Sequence, residues 1–205
     1  MYGSREIEIS PAVPVALVTN EAIKAALNIS GADKDTELTA LAAEVSQQIE
    51  DYCGTIFGKR AVTERHHLEE GGTTFILHYS PAAALTSVTI DSQAQTNSDF
   101  RLNLMHGMLR RVDNCPFGVG EHVIVYDAGY DSNAIPPAVS RAALELAKYL
   151  YETKGAHDDL VSQQTVDVGQ EAYRAVDRRT MEANGVALPN RVAHILAPYK
   201  RNFVI

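Results

Sequence analysis

Tryptophan is absent from this 205-residue chain, cysteine occurs only twice, and long apolar runs are missing. Each shortage excludes something. Cys53 and Cys115 stand alone and far apart, offering neither a disulfide framework nor a zinc knuckle, which suits a reducing cytosol. The longest nearly apolar run, Pro11 to Val18, is broken by a proline and falls far short of a bilayer span. Glu6 and Glu8 lie near the N-terminus with no basic stretch leading into an apolar run, so no signal peptide is expected. Basic residues are also few, with 18 Lys plus Arg against 26 Asp plus Glu and a net charge of −8 at pH 7. Such a surface repels phosphate backbones unless its few cations cluster, which disfavours sequence-independent nucleic-acid binding. What remains is ordinary globular usage, 45% hydrophobic and 21% charged over 22.3 kDa. The expectation is a soluble, acidic, intracellular single domain.

The organisation follows from the hydrophobic period. Residues 1–18 hold no stable period and contain Pro11 and Pro14, so they read as an extended arm. Thr19 is placed as an N-cap, and Ile23, Ala26 and Leu27 predict a short helix over 19–28. After the polar break Ser30 to Asp35, the stripe Leu38, Leu41, Ala42, Val45, Ile49, Tyr52 and Cys53 predicts a helix over 36–53, closed by Gly54. From Ala61 to Tyr130 the pattern turns to β. Strands are expected at Thr73–Tyr79, Leu85–Ile90, Phe100–Leu104, Met108–Val112 and His122–Tyr126, forming a small, strongly twisted antiparallel sheet. Pro136 and Pro137 open a third helix over 137–153, with Val139, Ala143, Leu146 and Leu150 on one stripe and Leu144, Ala147 and Tyr151 beside it. A helix that apolar is packed on more than one side, inside the fold or against another chain. Gly155 to Gly185 lacks a period, Thr165 to Val168 being a possible strand, and a last helix is expected over 189–196. The order of elements predicts an α+β fold, a mainly helical core with a small antiparallel β-sheet inserted.

The search for catalytic groups finds near misses. Gly54 to Arg60 has three residues between its glycines, and Arg60 stands where a phosphate loop needs Ser or Thr. Gly118-Val119-Gly120 has no helix to receive a pyrophosphate, and no Gly-x-Ser-x-Gly elbow occurs. His66-His67 with Glu69-Glu70 is the one local group resembling a metal site, with His78 or His122 as a distant further ligand. Adjacent strand side chains point to opposite faces, so the pair reads as solvated strand histidines. Cys53, within an apolar stripe, reads as a small core residue. No catalytic residue, metal site or cofactor is expected. The C-terminus ends Tyr199-Lys200-Arg201-Asn202-Phe203-Val204-Ile205, and three apolar residues closing a chain gain nothing unless docked. Docking on this or a neighbouring chain is therefore expected.

The layout resembles the head–tail connector, or adaptor, proteins of long-tailed bacteriophages, prophages and gene transfer agents. The resemblance rests on Val18-Thr19 before a short helix, and on the long helix ending Ile49-Glu50-Asp51-Tyr52-Cys53-Gly54. It continues through the Tyr79-Ser80-Pro81 turn before Leu85-Thr86-Ser87-Val88, Phe100-Arg101-Leu102, and the turn and strand Gly107 to Arg111. Val123 to Tyr130 with Ile135-Pro136-Pro137, and Leu188-Pro189 through Arg201, complete it. Met1 to Val18 and Gly155 to Gly185 depart from the pattern. The resemblance implies a structural virion protein, assembled in the host cytoplasm as a homo-oligomeric ring, usually twelvefold, beneath the portal. It implies a channel that DNA crosses without specific binding, a platform for the stopper or tail, and a C-terminal segment docked on the portal. Tyr199, Lys200, Arg201, Phe203, Val204 and Ile205 would be the docking residues. Two other readings stand beside it: a metal-dependent enzyme using His66, His67, His78 and Glu69, and a peptide- or small-ligand-binding module at a sheet edge.

Overall fold

The helices form where the apolar period places them. The computed structural model describes residues 2–159, 180–183 and 185–201. Helix α1 (Asn20–Leu27) begins with the Thr19 hydroxyl accepting the Ala22 N–H at 3.2 Å, and ends at Asn28 in the left-handed region. Helix α2 (Asp35–Cys53) ends at Gly54, also left-handed at φ 63°, whose N–H reaches the Glu50 and Asp51 carbonyls. Helix α3 runs Pro137–Asp159 and α4 Asn190–Leu196. With the hairpin of β9 (Thr180–Ala183) and β10 (Val186–Pro189), these helices make one compact unit, residues 16–54 and 136–205. Leu38, Ala42, Val45 and Ile49 of α2 are buried in it, but Leu41 is only half-buried. Ser46 joins the stripe because its hydroxyl is satisfied, donating to the Ala42 carbonyl and accepting the Leu17 N–H. The possible strand Thr165 to Val168 lies outside the described residues.

The other compact unit, residues 1–15 and 55–135, is built of strands. Strands β1 (Tyr2–Ser10), β2 (Arg60–Leu68), β4 (Ala82–Ile90), β5 (Gln93–Ala94) and β8 (Gly120–Ala128) form a five-stranded antiparallel sheet ordered β1-β2-β8-β4-β5. Strands β3 (Phe75–Ile76), β6 (Phe100–Asn103) and β7 (Met108–Arg111) form a second sheet ordered β3-β7-β6. Both sheets contribute to one apolar cluster, Val62, Ile124 and Tyr126 from the first and Phe75, Phe100 and Leu109 from the second.

The expected mainly helical core with a small inserted sheet is therefore wrong. Helix and strand are nearly balanced among the described residues, and the strands have a core of their own. The reason lies in β2. Its inward face carries Arg60, Val62, Glu64, His66 and Leu68, all buried, so the strand shows no apolar alternation to a sequence reading. Within the arm expected over 1–18, residues 2–10 are strand β1, hydrogen-bonded to β2 from Ser10↔Ala61 to Tyr2↔Leu68.

Gly129 explains part of the Val123 to Tyr130 motif. Its φ is +95°, and a Cβ there would lie 3.0 Å from the backbone of Gly58 and from the Phe57 carbonyl oxygen. The chain needs that approach because the Tyr130 N–H donates to the Phe57 carbonyl at 2.7 Å and the Lys59 N–H to the Tyr130 carbonyl at 2.9 Å. Gly129→Ala is expected to cost about 1–3 kcal/mol of stability, read in a urea titration. An unchanged midpoint would show that the crossing tolerates a side chain. In the helical unit, Val45→Asp places an unpaired charge in apolar packing and should cost about 3–5 kcal/mol, while half-buried Leu41→Asp should cost about 1. Equal effects at the two positions would contradict the burial pattern.

Candidate functional site

A carboxylate is buried in the strand unit, and four polar groups converge on it. Glu64 points inward from β2 with its side chain fully buried. One oxygen, Oε2, accepts from Arg5 Nη2 at 2.6 Å and lies 2.9 Å from His66 Nε2. The other, Oε1, accepts the His78 N–H at 2.6 Å and the Tyr126 hydroxyl. The Tyr126 oxygen in turn accepts the Tyr79 N–H at 3.0 Å. Burial by itself pushes the Glu64 carboxyl up, but the bonds from His66, Tyr126 and Arg5 outweigh it and hold the group down at about 2. Burial, then the neighbouring carboxylate, pushes the Tyr126 phenol well above its usual range. A carboxylate already saturated with donors has no lone pair left for a ligand, so this arrangement is a clasp joining β1, β2, β8 and the segment after β3.

The histidines divide as strand geometry requires. His66 and His67 face opposite ways, the first buried and the second exposed, so they do not share an ion. His66 was expected to be solvated. Instead its ring packs 5.1 Å from Phe75, because the Glu64 clasp satisfies its nitrogen away from water. His122 is buried against Phe75 and Phe117, its Nδ1 3.1 Å from the Gly120 carbonyl, and burial lowers its pKa. His78 is half-buried, its ring 4.6 Å from Tyr79, and Glu69 is exposed. Among the described residues no three His, Cys, Asp or Glu groups gather as metal ligands. Cys53 is buried in the helical unit, its thiol pushed up to about 12 by desolvation, whereas Cys115 is exposed. Among the described residues no helix is long and apolar enough to cross a membrane.

The surfaces carry the remaining signals. The described part of the C-terminal segment is tied to the end of α2, the Arg201 N–H donating to the Cys53 carbonyl at 2.8 Å. The Lys200 ammonium lies 5.8 Å from the centre of the Tyr52 ring, and Tyr199 is half-buried. Phe203, Val204 and Ile205 lie outside the described residues. In the strand unit, Ile76, Leu104 and Met105 are exposed at or beside the β6–β7 hairpin, and sequence reading did not single them out.

The sequence matches the head completion protein family over residues 16–202. The chain belongs to that family. Its fold is similar to a chain in the neck of an empty gene transfer agent particle computed with C6 symmetry, with TM-score 0.66 and 16% identity. It is also similar to a chain of the virion of the native particle, at TM-score 0.65 and 15% identity, and to one in the native neck computed with C12 symmetry, at 0.60 and 15%. Each match covers 98% of this chain and 97% of the other. At such identities the likeness is one of fold. No protein of curated function matches the sequence.

Family membership bears out the connector resemblance read from the sequence, and it assigns the chain a structural function at the head–tail junction. The buried clasp is part of the framework of the strand unit. The clasp sets an acid limit. The Glu64 carboxyl has its ordinary value of 4.5 when unfolded and about 2 when folded, so between these values the unfolded chain binds the additional proton. Its stabilisation is complete above about 4.5 and is lost as pH falls toward about 2. Glu64→Gln should lower stability at neutral pH by about 3 kcal/mol and flatten the pH dependence across that window. Urea titrations of both proteins from neutral to acid pH measure it. Parallel pH profiles would show that Glu64 is not the group responsible.

Proposed function

We propose that this head completion protein works as a homo-oligomeric ring, twelvefold in the assembled particle, between the portal and the stopper or tail. The ring extends the channel through which DNA passes. The family match across residues 16–202 carries this reading. The similar folds in gene transfer agent necks support it, two of those particles having been treated with sixfold and twelvefold symmetry. The acidic balance of the chain, −8, suits a conduit in which fixed cations would trap phosphates. The chain's role is one of assembly, without catalysis, and the ring is built in the host cytoplasm.

The segment from Tyr199 to Ile205 is the portal-docking element in this reading. Its support is the pattern of two cations followed by three apolar residues, carried on a stem that Arg201 fastens to α2. Docking Phe203, Val204 and Ile205 would bury apolar side chains at about 1.5–3 kcal/mol each, less the cost of ordering them. A chain ending at Arg201 keeps the bond to Cys53, so its melting curve should match that of the full chain. Its capture by purified portal rings should fall sharply. Undiminished capture of the folded, shortened chain would reject the docking role. Electron micrographs of the full chain with portal test the ring itself, and a bound monomer without rotational symmetry would reject it.

A further inference from the structure

A ring needs two different surfaces on each copy, because copies related by rotation meet head to tail. The structure carries one candidate on each unit. On the strand unit, the outward face of β3-β7-β6 has an apolar pair and a basic pair. Register places Ile76 opposite Met108 and Met108 opposite Asn103, while Arg101 stands opposite Arg110. At the tip between β6 and β7, Met105 is 76% exposed and Leu104 50%, with Ile76 56% exposed on the same sheet. Arg110 donates to the Thr74 hydroxyl at 3.0 Å, and Arg101 has no ion-pair partner among the described residues. Two like charges directly opposite on a ladder repel, and an acidic partner removes the penalty.

On the helical unit, α2 and α3 leave a groove of about 780 Å³. Its apolar lining is Ala40, Leu41, Leu150 and the Tyr151 ring, and its rim carries Asp33, Glu37 and Glu44. Leu41 belongs to the α2 stripe yet is only half-buried, because the groove opens over it. Lys34, the cation next to this rim, is engaged by Tyr151 through the hydroxyl and the ring face and also interacts with Glu37. The groove thus combines an apolar floor with acidic edges, and the hairpin combines an apolar tip with two guanidinium groups.

We propose that the Leu104–Met105 hairpin of one copy docks in the α2/α3 groove of the next, with Arg101 and Arg110 facing Glu37 and Glu44 across the joint. The inference rests on the ring reading and adds the surfaces that close the ring. Its test uses the full chain carrying Cys115→Ser, with buried Cys53 left in place. Met105→Cys and Leu41→Cys together should cross-link under mild oxidation into a ladder reaching the full ring. A mixture of the two single variants should stop at dimers, and each single variant alone should give none. Separately, Arg101→Glu with Arg110→Glu should raise the concentration needed for assembly about ten-fold or more. Adding Glu37→Arg and Glu44→Arg to the same chain should restore assembly, while melting temperatures show that the variants are folded.

Rings that form without cross-linking and ignore the charge reversal would overturn this joint while leaving the ring reading intact. A Met105→Cys cross-link to the portal in place of Leu41→Cys would also overturn it, by giving the hairpin a different partner. A chain that remains monomeric, alone and on the portal, would overturn both.

Discussion

The Glu64 carboxylate is the constraint around which the strand unit is arranged. Burying a charge this completely costs several kcal/mol unless its lone pairs are filled, and here donors come from β1, β2, β8 and the segment after β3. That requirement fixes register, because a slip of one residue in β2 would turn Glu64 and His66 outward and bring Arg65 and His67 into apolar packing. It also holds the N-terminal strand. Strand β1 is an edge, offers Ile7 and Ile9 to the apolar cluster, and gains Arg5 as an anchor into the interior. The family match begins at residue 16, whereas the likeness in fold covers 98% of the chain.

The helical unit is held by different means. Its core is largely apolar, built on Leu38, Val45 and Ile49 of α2 with Val139, Ala143 and Leu146 of α3. Helix α3 carries more apolar surface than this core takes up, and Leu144, Leu150 and Tyr151 stay half-buried. Leu150 and Tyr151 open onto the groove with the acidic rim. The C-terminal segment returns to the end of α2, where the backbone of Arg201 satisfies a carbonyl that the helix leaves unpaired. A structural protein of a junction has to present several faces from a stable frame. The division into a polar clasp inside one unit and an apolar stripe inside the other leaves both surfaces available for neighbours.

Much of this was legible in the sequence, and the legible parts share a physical cause. The four helices follow from apolar residues at steps of three and four, from Thr19 and from Gly54, all of which act within a turn or two of chain. The strands around Leu85, Phe100, Met108 and Val123 follow from β-branched and aromatic runs between turns. The family resemblance came from the order of these same pieces. What escaped was the interior face of β2, which reads as polar, and the pairing of β1, since an isolated strand carries no record of its partner. Glu64 drew no attention because a lone glutamate in a polar run looks like any solvated residue.

The sequence by itself determined the helices, most of the turns, and the class of protein, because each depends on neighbours along the chain. Tertiary structure decided which polar residues are interior and which apolar residues are surface. His66 moved inside because Glu64 and Phe75 enclose it, and Leu104 and Met105 stayed outside because they form the tip of a hairpin. Those outcomes depend on segments tens of residues apart meeting in space, and no local period carries that information.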